Sequence, residues 1–203
     1  MCRTHLFVLC LAAAALAAGC GGGEEAFTAQ GSVPRRALIE LGDLPGKAVV
    51  AEDLPEPCGP LGVFEPTASD TALSKMFAVR RGKARVKEAV ASFENASEAQ
   101  KAFEALDLRK RKDCILQAIL QFSPPGSRLT DEPTRDLPFA DEARSTNYVV
   151  VPPIPKLPGS FTAVSLRRGS CVAALLVLVE GRRSDAPLTR SLASVAGDLL
   201  RRC

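Results

Sequence analysis

The sequence predicts an α+β fold, in which an antiparallel sheet built from two hairpin-plus-helix units carries packed helices and two disulfides. The first observation behind this prediction is a repeated order of features: a basic, glycine-containing turn between two strand-like runs, followed by a helix-start signal. The second is an even number of cysteines in the part of the chain that we expect to be mature. The length of 203 residues and the hydrophobic content of 46% suit one globular domain.

The first 20 residues are typical of an export signal that ends in a cysteine. The apolar run from Leu6 to Ala18 is too short for an ordinary transmembrane helix, which needs about 20 apolar residues, and it has the proportions of a secretory signal. Ala17-Ala18-Gly19-Cys20 resembles a bacterial lipobox, whose cysteine is acylated and becomes the first mature residue. The alternative is a plain signal peptide cut near an Ala-x-Ala sequence, which leaves Cys20 as a thiol.

The lipobox interpretation divides the chain into three parts. We expect residues 1–19 to be a lipoprotein signal peptide, residues 20–36 to be the lipidated Cys20 and a flexible tether, and residues 37–203 to be a single domain. The lipid would hold this domain on the outer, extracytoplasmic face of the cell membrane.

The seven cysteines then separate by location. Cys2 and Cys10 leave with the signal and Cys20 carries the lipid, so four remain. No pair has the spacing of a redox or zinc motif, and an exported protein is expected to use them in two structural disulfides. Three connectivities are open, of which the sequential one is preferred. The preferred disulfides are Cys58–Cys114 and Cys171–Cys203.

The first hairpin-plus-helix unit lies in the middle of the predicted domain. Strand-like runs over residues 73–79 and 84–93 flank the turn Arg80-Arg81-Gly82-Lys83, in which the glycine is expected to take the positive φ. Ser97 and Gln100 have the spacing of a capping box at the start of a helix. Two flanking elements are also predicted, an edge strand around Val49 and Val50 and a second helix over residues 114–119.

The second unit repeats this order near the C-terminus. Runs over residues 161–166 and 171–180 flank the turn Arg167-Arg168-Gly169-Ser170. Asp185 is expected to cap the last helix, with Pro187 in its first turn.

The spacing favours a duplicated unit, because Gly82 to Ser97 is 15 residues and Gly169 to Asp185 is 16 residues. The run over residues 171–179 is apolar on both faces and therefore predicts a central strand that is covered on both sides.

Between the two units, residues 123–159 hold eight of the 15 prolines. A weak strand over residues 147–151 interrupts them. A segment of this kind is either a functional lid or a poorly ordered connector, and both interpretations stay open.

Several short motifs follow one another in a distinctive order. After the lipobox and tether come Asp43-Leu44-Pro45-Gly46, a cysteine in a proline loop, and a helix start in Phe93-Glu94-Asn95-Ala96-Ser97-Glu98-Ala99-Gln100. Lys112-Asp113-Cys114, Ala140-Asp141-Glu142-Ala143 and the second arginine–glycine hairpin follow. Over residues 37–202 this order resembles the PknH-like extracellular sensor domains, which occur on actinobacterial receptor kinases and as stand-alone lipoproteins.

The resemblance implies an antiparallel sheet with helices, two disulfides and a cleft for an unidentified extracellular ligand. Cys58 and Cys114 match the first bridge of the family, and Cys171 matches its last cysteine. Cys203 has no counterpart in the family, so the resemblance leaves the second bridge open.

The composition excludes several classes of function. The single histidine, His5, leaves with the signal, so Ser-His-Asp catalysis, Cys-His catalysis and histidine metal sites are excluded. Nucleic-acid binding is disfavoured by export, by a net charge of only +3 and by an aromatic content of 5%. We therefore expect no enzyme, no catalytic residues, no bound metal and no cofactor.

Binding is the function that we expect. Arg80, Arg81, Arg167 and Arg168 lie on the two hairpin turns and are predicted to grip a carboxylate or phosphate together. The partners would be the membrane, through Cys20, and a small-molecule, lipid or envelope-polymer ligand. The alternative is an envelope structural or accessory lipoprotein that holds a protein or cell-wall partner.

Overall fold

Nine strands form one antiparallel sheet in the described part of this computed structural model, which covers residues 32–53, 67–80, 83–106, 125–152, 159–181 and 185–203. The strands are β1 Val49–Val50, β2 Asp70–Leu73, β3 Phe77–Val79, β4 Ala84–Ser92, β5 Arg128–Asp131, β6 Arg135–Asp136, β7 Glu142–Val151, β8 Gly159–Arg168 and β9 Cys171–Val179. The α-helices in the same ranges are α1 Ser32–Arg36, α2 Ala96–Ala105 and α3 Ala186–Leu199, and Leu41–Asp43 and Leu200–Arg202 form 3₁₀ turns. The predicted α+β class is confirmed.

The main order of the sheet is β1-β3-β4-β9-β8-β7-β5, while β2 also pairs with β4 and β6 with β7. The strand β9 is central, as its apolar run predicts. It pairs with β4 from Ala84↔Val179 to Ser92↔Cys171, so the two predicted hairpins meet side by side. The short strand β1 lies at an edge, also as predicted.

The helices of the two units pack on opposite faces of the sheet. Because side chains alternate along a strand, Ala89 and Ala91 of β4 point to the face that α2 covers through Phe103. Leu166 of β8 points to the other face, where it joins Leu192 of α3 in the main core. The likeness of the two units in sequence therefore does not extend to their helix placement. The connections differ in length, with three residues between β4 and α2 and six between β9 and α3.

The first strand of the predicted hairpin over residues 73–79 is two strands. Residues 74–76 separate β2 from β3, although both strands pair with β4. Ser74 faces Glu88 at this break: its N–H donates to the Glu88 carbonyl at 2.9 Å, and its hydroxyl accepts from the Glu88 N–H at 2.9 Å. The Ser74 hydroxyl thus takes the place of a backbone carbonyl as the hydrogen-bond acceptor for the Glu88 N–H at the break between β2 and β3.

The proline-bearing segment is largely part of the sheet. The predicted weak strand is β7, which has ten residues and pairs with β5, β6 and β8. Residues 128–151 are therefore neither a lid nor a disordered connector. The prolines in this range, Pro133 and Pro138, lie between strands, where a missing N–H breaks no ladder.

The predicted cap of α3 is confirmed, and that of α2 is wrong. Asp185 accepts from the Leu188 N–H at 3.2 Å, with a proline in the first turn of α3. The cap of α2 is Asn95, whose Oδ1 accepts from the Glu98 N–H at 3.0 Å. Ser97 is an exposed residue inside the first turn. Asn95 has the extended backbone that a cap requires, with φ −151°, and it is among the residues preferred there.

A disulfide joins Cys171, at the start of β9, to Cys203, with 6.2 Å between their Cα atoms. This is the second bond of the preferred sequential pairing. The predicted Cys58–Cys114 disulfide, the helix over residues 114–119 and the lipidated Cys20 all lie outside the described residues. Among the helices that the structure describes, none has the length and apolar character needed to cross a membrane.

Candidate functional site

The structure does not bring the predicted arginine grip together. Arg80 precedes β4 and lies at the end of the sheet where β9 finishes, whereas Arg167 and Arg168 lie at the end where β9 begins. These ends are separated by the length of β4, which for nine residues is about 27 Å. Arg81 lies outside the described residues. One carboxylate or phosphate therefore cannot bridge Arg80 and Arg167.

Arg80 joins the two hairpin-plus-helix units. Its φ of 52° turns the chain after β3, and its Nη1 lies 2.6 Å from Oδ2 of Asp185. Asp185 is buried and uses its other oxygen to cap α3. This ion pair links the first hairpin to the last helix, so the contact supports the fold.

Arg167 is also engaged within the domain. Its Nε and Nη2 donate to Oε1 of Glu142 at 2.9 and 2.7 Å, and its side chain is only 15% exposed. The hydrogen bond from Arg167 holds the pKa of the Glu142 carboxyl below its ordinary value, although partial burial acts in the opposite direction. Gln100 of α2 donates to the second oxygen of Glu142 at 3.3 Å.

Another arginine, Arg144 on β7, contacts α2 in the same region. The Arg144 guanidinium lies 4.1 Å from the centre of the Phe103 ring, and its Nη2 donates to the Phe103 carbonyl at 3.0 Å. Arg144, Arg167, Glu142 and Gln100 form a polar layer between α2 and the sheet. Arg167 is thus already paired with Glu142 at 2.7 Å and, at the longer distance of 3.8 Å, with Asp141.

Of the predicted ligand residues, Arg168 is the one without an ion pair to any residue in the described ranges. It is half-buried at the end of β8, directly opposite Cys171 in the register. Among the described residues, none opposes the charge of Arg168 in an ion pair.

The most unusual ionisable group is Glu88 in the middle of β4. It is 1% exposed, and its Oε2 accepts from the Ile39 N–H at 2.6 Å. Its Oε1 has no hydrogen-bond partner among the described residues. Burial raises the pKa of the Glu88 carboxyl to about 8; the hydrogen bond from Ile39 lowers it, and the nearby charge of Asp43 raises it further.

The sequence prediction missed Glu88, although a signal was present. Along β4 the residues Ala84, Val86, Glu88 and Val90 alternate, so they point to one face. The other three belong to the main core, and strand periodicity therefore places the carboxyl of Glu88 in that core.

Within the described ranges, no three acidic, cysteine or histidine side chains are grouped in a way that could hold a metal ion.

The chain was compared with family models, with curated proteins and with solved structures. No family model matches the chain, and no curated protein matches it. Among solved structures, the chain is similar to the extracellular domain of PknH from Mycobacterium tuberculosis, with a TM-score of 0.48 and 10% sequence identity. The match covers 78% of this chain and 84% of that chain. The similarity is distant.

Proposed function

We propose that the protein is a membrane-anchored extracytoplasmic lipoprotein whose α+β domain binds or senses an unidentified ligand without catalysing a reaction. The observation that carries the proposal is the Cys171–Cys203 disulfide. Disulfides of this kind persist in oxidising compartments, which agrees with the export signal at residues 1–19. Residues 32–36 form helix α1 and belong to the domain, so the part of the predicted tether that precedes α1 would then place the domain just above the membrane surface.

Binding without catalysis is favoured by how the polar groups are used. The mature chain would contain no histidine, because His5 leaves with the signal. Arg80 and Arg167, the described arginines that are ion-paired on the two hairpins, hold Asp185 and Glu142. Groups engaged in this way support the fold and are poorly placed to move protons or attack a substrate.

We assign the first contact with an anionic ligand to Arg168. It has the charge and the partial exposure that such a contact needs, and the described residues leave it without an opposing carboxylate. Arg167 would join only if the ligand replaced Glu142. Of the four arginines predicted to bind the anion together, the proposal therefore keeps Arg168 and, in that case, Arg167, which lie at one end of the sheet.

The lipid anchor is tested with Cys20→Ser. We expect this variant to be unacylated and to leave the membrane fraction, because the acylated sulfur is gone. Cys10→Ser is the matched control, since it changes a cysteine that the mature protein no longer contains, and it should stay membrane-bound. An unchanged mass and unchanged fractionation of Cys20→Ser would contradict the anchor.

The ligand is sought by native mass spectrometry on the protein purified from its own envelope. We expect a bound mass that Arg168→Ala loses and Arg190→Ala keeps, because Arg190 is an exposed arginine on α3, a different element of the domain. A stoichiometric protein partner without any bound small molecule would instead support the alternative function.

That alternative, an envelope accessory lipoprotein, is favoured by one observation. Val49 and Val50 of the edge strand β1 are 59% and 53% exposed, and an apolar edge strand is suited to pairing with another chain. Replacing both valines with lysine should then abolish capture of the protein partner. Val151→Lys, an exposed valine on β7, is the control that should leave it intact.

A further inference from the structure

The chain enters the sheet by crossing over the buried carboxyl of Glu88. We call residues 37–44 the N-terminal strap, which follows α1 and precedes β1. Three of its side chains, Ala37, Ile39 and Leu44, are buried in the main core. The strap is also held by the hydrogen bond from the Ile39 N–H to Oε2 of Glu88.

The sheet is interrupted at the same point. The gap between β2 and β3 lies beside Glu88, whose backbone is satisfied by Ser74. Here the break and the strap meet at one residue, and both leave Glu88 enclosed.

The enclosed carboxyl is satisfied only in part. One oxygen accepts a single hydrogen bond, and the other has no partner within the described ranges. A neutral carboxyl tolerates this environment, whereas a carboxylate loses most of its hydration there. Opening of the strap would return water to the charged group.

The neighbouring charges do not offset the ionised form. Asp43, on the strap, is the charged group whose field acts on Glu88, and it is of the same sign. On β2, Asp70 is half-buried and pairs with Ser92, four residues along β4 from Glu88, and the β9 residue paired with Glu88 is Leu175. The charges on α1, those between β2 and β3, and the other charge on the strap are exposed. These exposed groups are Arg35 and Arg36 on α1, Glu40 on the strap, and Lys75 between β2 and β3.

We propose that Glu88 is a proton-controlled latch, which holds the N-terminal strap on the sheet when it is protonated and releases the strap when it is ionised. The latch is a property of the domain and does not depend on the anchor or on a ligand. In an anchored protein it would place a proton-sensitive joint between the tether and the sheet.

The test is hydrogen exchange of the full-length protein, followed by mass spectrometry from pH 5 to pH 9. Protection factors, which remove the intrinsic pH dependence of exchange, are compared for the strap and for β9. Since release exposes one carboxyl, strap protection should fall by up to about tenfold per pH unit between about pH 5 and pH 8, then level off. Protection of β9 should remain high.

Glu88→Gln should keep the strap protected at every pH, because the amide oxygen can still accept from Ile39 and no charge forms. Glu142→Gln, the same change at a half-buried ion pair away from the strap, should behave as the wild type. Asp43→Asn removes the like charge, so its protection should level off at a lower pH than in the wild type. Constant strap protection in the wild type, or the same fall in Glu88→Gln, would overturn the proposal.

Discussion

Glu88 and Glu142 are two glutamates of one sheet whose environments shift their pKa values in opposite directions. Glu88 is enclosed in the core with a single hydrogen bond, and burial raises its pKa from the ordinary 4.5 to about 8. Glu142 lies against Arg167 near the surface, and this hydrogen-bonded cation lowers its pKa. The two groups therefore contribute to stability in opposite pH ranges, and each can be removed by one conservative substitution.

Glu88→Gln should flatten the pH dependence of unfolding. A raised pKa in the folded state gives stability that is fully present below the unfolded value of about 4.5 and is lost as the pH rises to about 8. The wild type should therefore lose up to about 1.4 kcal/mol per pH unit across this window, and the variant should not. Urea unfolding at pH 5 and pH 8 measures the difference. The same change in the free energy of unfolding between pH 5 and pH 8 in both proteins would contradict this expectation.

The contribution of Glu142 to stability should change with pH in the opposite direction to that of Glu88, and Glu142→Gln should remove it. A lowered pKa gives stability that is present above about pH 4.5 and is lost as the pH falls through the folded-state value. Because the Glu142 side chain is 39% exposed, solvent screens the pair, and we expect a loss of about 0.5 kcal/mol at pH 7. The loss should become smaller as the pH falls below 4.5 in the same urea assay. A larger effect at pH 3 than at pH 7 would refute the assignment.

At the scale of elements, local sequence signals predicted what local contacts determine. The hairpin of β8 and β9 and the cap of α3 depend on neighbours close along the chain, and both agree with the sequence prediction. The break between β2 and β3 depends on Ser74 and Glu88, which are 14 residues apart. The strap depends on Ile39 and Glu88, 49 residues apart, and no local pattern carries that contact.

The cap of α2 provides a test at this scale. Asn95→Ala should destabilise the domain by about 1 kcal/mol, since the Glu98 N–H loses its acceptor. Ser97→Ala should change stability by less than about 0.5 kcal/mol, because Ser97 is exposed inside the helix. Thermal unfolding of the two variants compares them directly. A larger loss of stability in Ser97→Ala than in Asn95→Ala would instead support the capping box predicted from Ser97 and Gln100.

At the scale of the whole molecule, the candidate site was the least predictable feature. The arginines were grouped because both hairpin turns carry them, yet the antiparallel pairing of β4 with β9 places the two turns at opposite ends of the sheet. Pairing direction is decided by the whole sheet, and spacing along the chain does not reveal it. Local sequence also could not show that Asp185 and Glu142 already hold these side chains.

The disulfide acts on the whole domain because it ties the C-terminus to the central strand. Replacing Cys171 and Cys203 together with alanine removes a cross-link that spans 32 residues, which the chain-entropy argument values at about 4 kcal/mol. We expect the melting temperature to fall by about 10 °C, as measured by circular dichroism under non-reducing conditions. An unchanged melting temperature would mean that packing of α3 alone fixes the C-terminus.

The path of the chain from the N-terminus into the sheet also determines which contacts a pulling force would meet first. A pull at the N-terminus meets the Ile39–Glu88 hydrogen bond and the apolar contacts of the strap before it reaches the sheet. Behind the strap lies the two-residue strand β1, which can unzip one pair at a time. The nine paired positions of β4 and β9 lie deeper, and the C-terminus is cross-linked to them. The N-terminal end of the domain is thus held by fewer contacts than the C-terminal end, so under tension we expect the strap and β1 to detach while β4 and β9 keep their register.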